Sequence, residues 1–235
     1  TGRVLVRGGG SADAVIIKGT SDVKNVVVAK VDGDVRVAVQ DSAKVGTIDV
    51  VNGNDNVVVE GAVSKLIISG ANITVTGTSA TIGDAEITGD NSKLILAKGS
   101  SVTTATVSGK GGIEVQEGAK AATINVESAD ADVTVAGTVT DLNVNAPAEV
   151  AVADTGAVTT LNVGEEAEGA NVEMAKNAKV STINAKANMT TSGAGKPGKI
   201  TAPEGVTVTE KESGKQEETT TPPSGGSSGG SGGAK

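Results

Sequence analysis

The phrase Thr123-Ile124-Asn125-Val126 returns along most of the chain. Residues 142–144 and 161–163 both read Leu-Asn-Val, and residues 182–184 read Thr-Ile-Asn. Upstream, Thr47-Ile48-Asp49-Val50 and Lys65-Leu66-Ile67-Ile68 are the same phrase with substitutions. Its central position falls at Ile48, Leu66, Ala85, Ala105, Ile124, Leu142, Leu161 and Ile183, at spacings of 18, 19, 20, 19, 18, 19 and 22 residues. So steady a period marks a repeat protein whose units pack on their neighbours.

Each unit opens with Val-x-x-[Leu/Ile]-x-[Val/Ile], as in residues 45–50, 63–68, 139–144 and 158–163. A Gly/Asn/Asp/Ala/Ser turn follows, then a second short strand, as in residues 57–59, 73–75, 94–96, 113–115, 133–135, 150–152 and 172–174. These segments alternate apolar and polar residues with period two, and none carries a helical stripe. An all-β chain of this kind has one natural solution: a single-stranded parallel β-helix (a β-solenoid), each repeat one coil, like strands stacked at ~4.7–4.9 Å. A sandwich has no reason to set Leu-Asn-Val at one period on alternate strands; stacking does. A left-handed hexapeptide helix needs apolar residues six apart, and from Ile48 that lands on Asn54. Drifting coil length points to the right-handed form, with about nine or ten coils in residues 3–200 and a rod of ~45 Å.

The composition agrees with a thin, layered core. The chain has no Phe, Tyr, Trp, Cys or His, and two Met, Met174 and Met189. Aromatic rings dominate most globular cores; here β-branched Val leads, and it suits pleated strands. Residues 1–44 carry looser coils with Gly8-Gly9-Gly10 and Asp32-Gly33-Asp34 as turns, and all three arginines, Arg3, Arg7 and Arg36. Residues 45–209 hold the regular repeats and an end coil in which Val206-Thr207-Val208 pairs with or caps the last turn. Residues 210–235 pass through Thr221-Pro222-Pro223 into Gly and Ser, the composition of a linker. A start at Thr1 reads as a mature or excised product, and a terminal linker implies a further domain or anchor.

The formal charge of −8 and the lack of aromatics argue against nucleic-acid binding, which wants basic stripes and stacking platforms. No apolar run approaches the ~18 residues of a membrane span. Without His or Cys, Ser-His and Cys-His nucleophiles are excluded. Glu165, Glu166 and Glu168 cluster at a corner, and Glu86, Glu114 and Glu173 lie on strand faces, but no long loop builds a groove around them. They read as solvated carboxylates, so no catalytic residue, metal site or cofactor is assigned. Asn52-Gly53-Asn54-Asp55-Asn56 and Asp32-Gly33-Asp34 have oxygen ligands for Ca²⁺, yet Asn, Gly and Asp are what tight turns require. Gly109-Lys110-Gly111-Gly112 precedes no helix and is a corner rather than a phosphate loop. Stacking puts Asn125, Asn143, Asn162 and Asn184 in one column and Thr104, Thr123, Thr160 and Thr182 in the next. Such columns brace a sheet face by side-chain hydrogen bonds; a ligand or ice face would need regular Thr-x-Thr pairs.

The opening Gly2-Arg3-Val4-Leu5-Val6-Arg7-Gly8-Gly9-Gly10-Ser11 resembles that of β-helical modules in large surface proteins of Gram-positive bacteria, which often carry S-layer-homology anchors. The Val-Gly-Thr-Ile-x-Val phrase at residues 45–50, the Ala-x-Val-x-Val strands and the Lys196-Pro197 exit are similar too. The resemblance spans roughly residues 2–200, and no S-layer-homology segment accompanies it. It implies a structural or adhesive role outside the cell, at the surface or in the wall, and brings no catalytic residues.

A β-helix ends in open strand edges that template further pairing. The expected role is therefore a building block of a bacterial surface layer or filament, stacked head to tail with copies of itself or with another surface protein. The expected end surfaces are Val4, Leu5, Val6, Val15 and Ile17 at one end and Ile183, Met189, Val206 and Val208 at the other. The alternative is an adhesin or a spacer that binds cell-wall polysaccharide along its side. A polysaccharide-degrading enzyme is the remote third reading.

Overall fold

The computed structural model describes residues 2–10, 14–31, 33–52, 56–211 and 218–220. Asp32 and Gly53–Asp55, which belong to the two Asn/Gly/Asp turns, and the Gly/Ser tail expected as a linker lie outside them. The described residues contain strands and turns and no helix, and they wind into a parallel β-solenoid of about 11 turns of ~19 residues.

Two walls run the length of the rod. The first is built from β1 (Arg3–Val6), β3 (Asp22–Ala29), β5 (Lys44–Asn52), the second halves of β6 (Asn56–Ile68) and β7 (Thr74–Ile87), β9 (Ser101–Val107), β11 (Lys120–Val126), β13 (Thr138–Val144), β15 (Ala157–Val163), β17 (Lys179–Ala185) and β19 (Lys199–Thr201). The second is built from β2 (Val15–Ile17), β4 (Val35–Val39), the first halves of β6 and β7, β8 (Lys93–Leu96), β10 (Gly112–Val115), β12 (Asp132–Val135), β14 (Glu149–Val152), β16 (Ala170–Met174), β18 (Met189–Gly193) and β20 (Val208–Lys211). All these pairings are parallel. The last strand, β21 (Glu218–Thr220), pairs antiparallel with β20.

The repeated phrase is one register column of the first wall. Ile48, Leu66, Ala85, Ala105, Ile124, Leu142, Leu161 and Ile183 stack in order. The column also reaches Val26 and Val4 below Ile48, and Ile200 above Ile183. That is eleven layers where nine or ten were expected, because the first coils, each 22 residues long, stack in the same register as the rest. At the inter-strand spacing the rod is about 50 Å long.

The core is a stack of nearly identical layers. One layer consists of Ala119, Ala121, Ile124, Val126, Ala131, Val133 and Val135, each at 5% exposure or less. Fully burying an Ile or Val is worth about 1.5–3 kcal/mol, so each layer contributes on its own and each is covered by its two neighbours. Where the column narrows to Ala85, the same coil is filled by Ile82, Ile87, Leu94 and Leu96, all 0% exposed. Volume is conserved across the layer rather than at each position.

The walls join at corners with special backbone. Gly61, at the irregularity where β6 turns from one wall to the other, has φ +83°. A Cβ there would collide with the carbonyl oxygen of Val39, so only glycine fits. Two turns are pinned by buried hydroxyls. Ser92 Oγ accepts from Ile73 N at 3.0 Å and donates to Gly70 O at 2.7 Å. Ser100 Oγ accepts from Ala80 N at 3.1 Å and donates to Gly77 O at 2.8 Å. Each staples one coil to the coil beneath it.

Candidate joining surfaces at the rod ends

Pairing by layers leaves the two ends as the places where the pattern must stop. At the amino-terminal end β1 pairs with β3 and β2 with β4, and among the described residues neither has a strand on its outer side. Alternation turns Val4, Val6, Val15 and Ile17 towards the core. Val6 and Ile17 are 5% and 7% exposed, while Val4 and Val15 are only partly covered because no layer lies beyond them. The same alternation turns Leu5 and Ile16 outward, at 46% and 50% exposure. With Val31 and Val51 they are the exposed large apolar residues of the described chain, so all of them lie in its first quarter. This end is also the basic part of an acidic chain. Residues 1–44 carry seven Lys/Arg against five Asp, a net of +2, whereas residues 45–235 carry thirteen against twenty-three, a net of −10.

The carboxyl-terminal end differs from expectation. Ile183 and Met189 do not form it: they sit one layer in, paired with Ile200 and Val208, at 0% and 3% exposure. The reason is that residues 199–211 add a further layer to both walls. Its apolar members Ile200, Ala202 and Val206 are partly buried, and Val208 is 1% exposed. The second wall does not end in an open edge. One of its inward columns runs Val150, Val172, Thr191, Glu210, changing from alkyl to hydroxyl to carboxylate over the last layers. Glu210 Oε2 accepts from Lys196 Nζ at 3.0 Å. A charge turned inward at a terminal strand blunts that edge, and β21 then covers it.

The sides of the rod carry braces. Asn143 Nδ2 donates to Asn125 Oδ1 at 2.8 Å, Asn162 Nδ2 to Asn143 Oδ1 at 2.9 Å, and Asn184 Nδ2 to Asn162 Oδ1 at 2.9 Å. The threonine column next to it is interrupted: Asp141 stands between Thr123 and Thr160. Three of the six glutamates singled out in the sequence have structural partners. Glu86 meets Lys65 at 2.7 Å, Glu114 meets Lys93 at 3.5 Å, and Glu168 accepts from both nitrogens of Asn188. Arg36 forms a two-pronged pair with Glu60, Nε to Oε1 at 2.8 Å and Nη2 to Oε2 at 2.6 Å. That hydrogen-bonded pairing holds the Glu60 carboxyl below its ordinary range and raises Arg36. Neither contact was read from the sequence, because Arg36 and Glu60 are 24 residues apart and become diagonal neighbours only through stacking.

Along one corner, two shallow hollows of about 270 and 300 Å³ lie end to end and share Thr103. Small and hydroxyl residues line them, among them Ser64, Gly83, Ala122 and Thr140. Among the described residues no group of three or more Asp or Glu is placed to hold a metal ion. No helix of the described chain is long and apolar enough to cross a membrane. No protein-family model, curated protein or solved structure matches the chain.

Proposed function

We propose that this chain is a structural rod of a bacterial cell surface, joined end-on to its neighbours through its first coil. One observation carries the reading: β1 and β2 form an outer edge on both walls, and Leu5 and Ile16 stand exposed beside it. Unpaired strand edges next to apolar side chains are what association through β-pairing uses. The resemblance of residues 2–11 to surface-protein modules supports the extracellular setting.

Electron microscopy and sedimentation of the purified chain test it. The expected result is particles longer than the ~50 Å rod at high concentration, and single rods for Leu5→Asp with Ile16→Asp. Single rods of the unaltered chain at all concentrations would refute it. The corner hollows favour a second reading, an adhesive spacer that binds an extended polysaccharide along its side. That reading expects Thr103→Arg to abolish glycan binding with melting unchanged, and an unchanged glycan-array signal excludes it.

A further inference from the structure

β20 pairs with β18 along one edge, and β21 takes the other with Val208 opposite Thr220, Thr209 opposite Thr219 and Glu210 opposite Glu218. A solenoid grows by adding a parallel strand to each wall. A strand of reversed direction ends that growth. We propose that Glu218–Thr220 is a displaceable seal, which keeps β20 from pairing with β20 of a second copy of this chain.

The polarity of the seal identifies the occupant it excludes. The edge of β20 accepts an antiparallel strand, and a second copy related by a two-fold axis brings its own β20 in that direction. The inward side chains of both copies must lie on one side of the shared sheet, so residues of like parity face each other. The centred register with this property sets Thr209 opposite Thr209 of the second copy, and Val208 opposite Glu210. Of the registers one step to either side, one sets Glu210 on Glu210, and like charges directly opposite destabilise a pair, while the other overlaps the two strands at Val208 alone. The seal already offers β20 the same threonine pairing, with Thr219 opposite Thr209. Three residue pairs are a weak contact for a free strand. The chain separates β20 from β21 by only six residues, 212–217, and a short tether gives an effective concentration in the millimolar range. Cis pairing therefore wins until the seal is broken. This inference concerns the opposite end from the first-coil joint and stands or falls separately.

The chain has no cysteine, so one introduced thiol reports on the contact. Thr209→Cys is made in the full chain, with and without Thr219→Pro and Thr220→Pro, which remove two backbone donors from the seal. Under oxidising conditions the proline changes are expected to raise the disulfide-linked dimer at least about tenfold, the ratio of tether concentration to protein concentration. Lys98→Cys, on a side turn, serves as the control and is expected to show no rise. An equal yield at residue 209 with and without prolines overturns the proposal, as does an equal rise at residue 98. A dimer through the first coil leaves residue 209 unlinked, so failure here does not touch that reading.

Discussion

Asn143 holds Asn125 and Asn162 at once: its Nδ2 donates to Asn125 Oδ1 at 2.8 Å, and its Oδ1 accepts from Asn162 Nδ2 at 2.9 Å. Every amide in the middle of the column has this double role, so the ladder is directional and each member serves two layers. Truncating Asn143 removes two hydrogen bonds, at a net of about 0.5–1.5 kcal/mol each for half-buried partners. Asn143→Ala is expected to lose about 1–3 kcal/mol by denaturant titration, and Asn184→Ala, which breaks the single rung to Asn162, about half as much. Equal losses at the two sites would refute the ladder as a stabilising element.

Core layers make a paired prediction with opposite substitutions. Leu142 is 0% exposed between Ile124 and Leu161, and neither neighbour can move without disturbing its own layer. Leu142→Ala is therefore expected to cost about 3–5 kcal/mol, the upper part of the range for such truncations. Ala105 occupies the same column, in a coil already filled by Val102, Val107, Ile113 and Val115, each at 3% exposure or less. Ala105→Leu is expected to cost about 1–3 kcal/mol through overpacking, despite matching the column's usual residue. Calorimetry checks both, and a stabilised Ala105→Leu would mean that the layer holds unused space.

That contrast shows why some of the fold was legible and some was not. The column from Ile48 to Ile183 could be read because stacking puts like residues on like, and the period survives in the letters. The first coils escaped because their 22-residue spacing hides Val4 and Val26 among other valines. The carboxyl-terminal end was legible only in part: Val206-Thr207-Val208 reads as a cap on the last turn, but the extent of that layer does not show. Lys199-Ile200-Thr201 and residues 208–211 are too short to carry a period, so their layer is visible only once Ile183 and Met189 need covering. The amino-terminal end is legible as a place, the first coil, but not residue by residue: Ile16 stands 50% exposed there and is not among the residues expected from the sequence. The seal by Glu218–Thr220 has little sequence signal: Thr219 and Thr220 suit a strand, but three residues carry no period, and pairing with β20 supplies the structure.

The Arg36–Glu60 pair gives the rod a defined response to acid. Its hydrogen bonds hold the Glu60 carboxyl below its ordinary range. A depressed folded pKa means stability that is fully present above the unfolded carboxylate value of about 4.3 and lost as pH falls through the folded one. Arg36 is shifted upward, so its share is fully present below the ordinary arginine range and lost only as pH rises through the raised value. Thermal melts should place Glu60→Gln below the unaltered chain at pH 7, with the gap closing as pH drops below about 4. A gap independent of pH would assign the effect to shape rather than charge.

Asn25 marks a place where the column is imperfect. Its register column is polar throughout this end of the rod, with Arg3 on one side and Thr47 on the other. Its Oδ1 is buried and has no hydrogen-bond partner. An orphaned buried acceptor costs about 1–3 kcal/mol relative to a satisfied one. Threonine already stands at this position one layer on, suits a strand, and carries a smaller polar group that rotates towards a donor. Asn25→Thr is therefore expected to raise stability by about 1 kcal/mol, measured by denaturant titration with an unchanged m-value. A loss of stability would show that the Asn25 amide nitrogen does more for the first coils than its orphaned oxygen takes away.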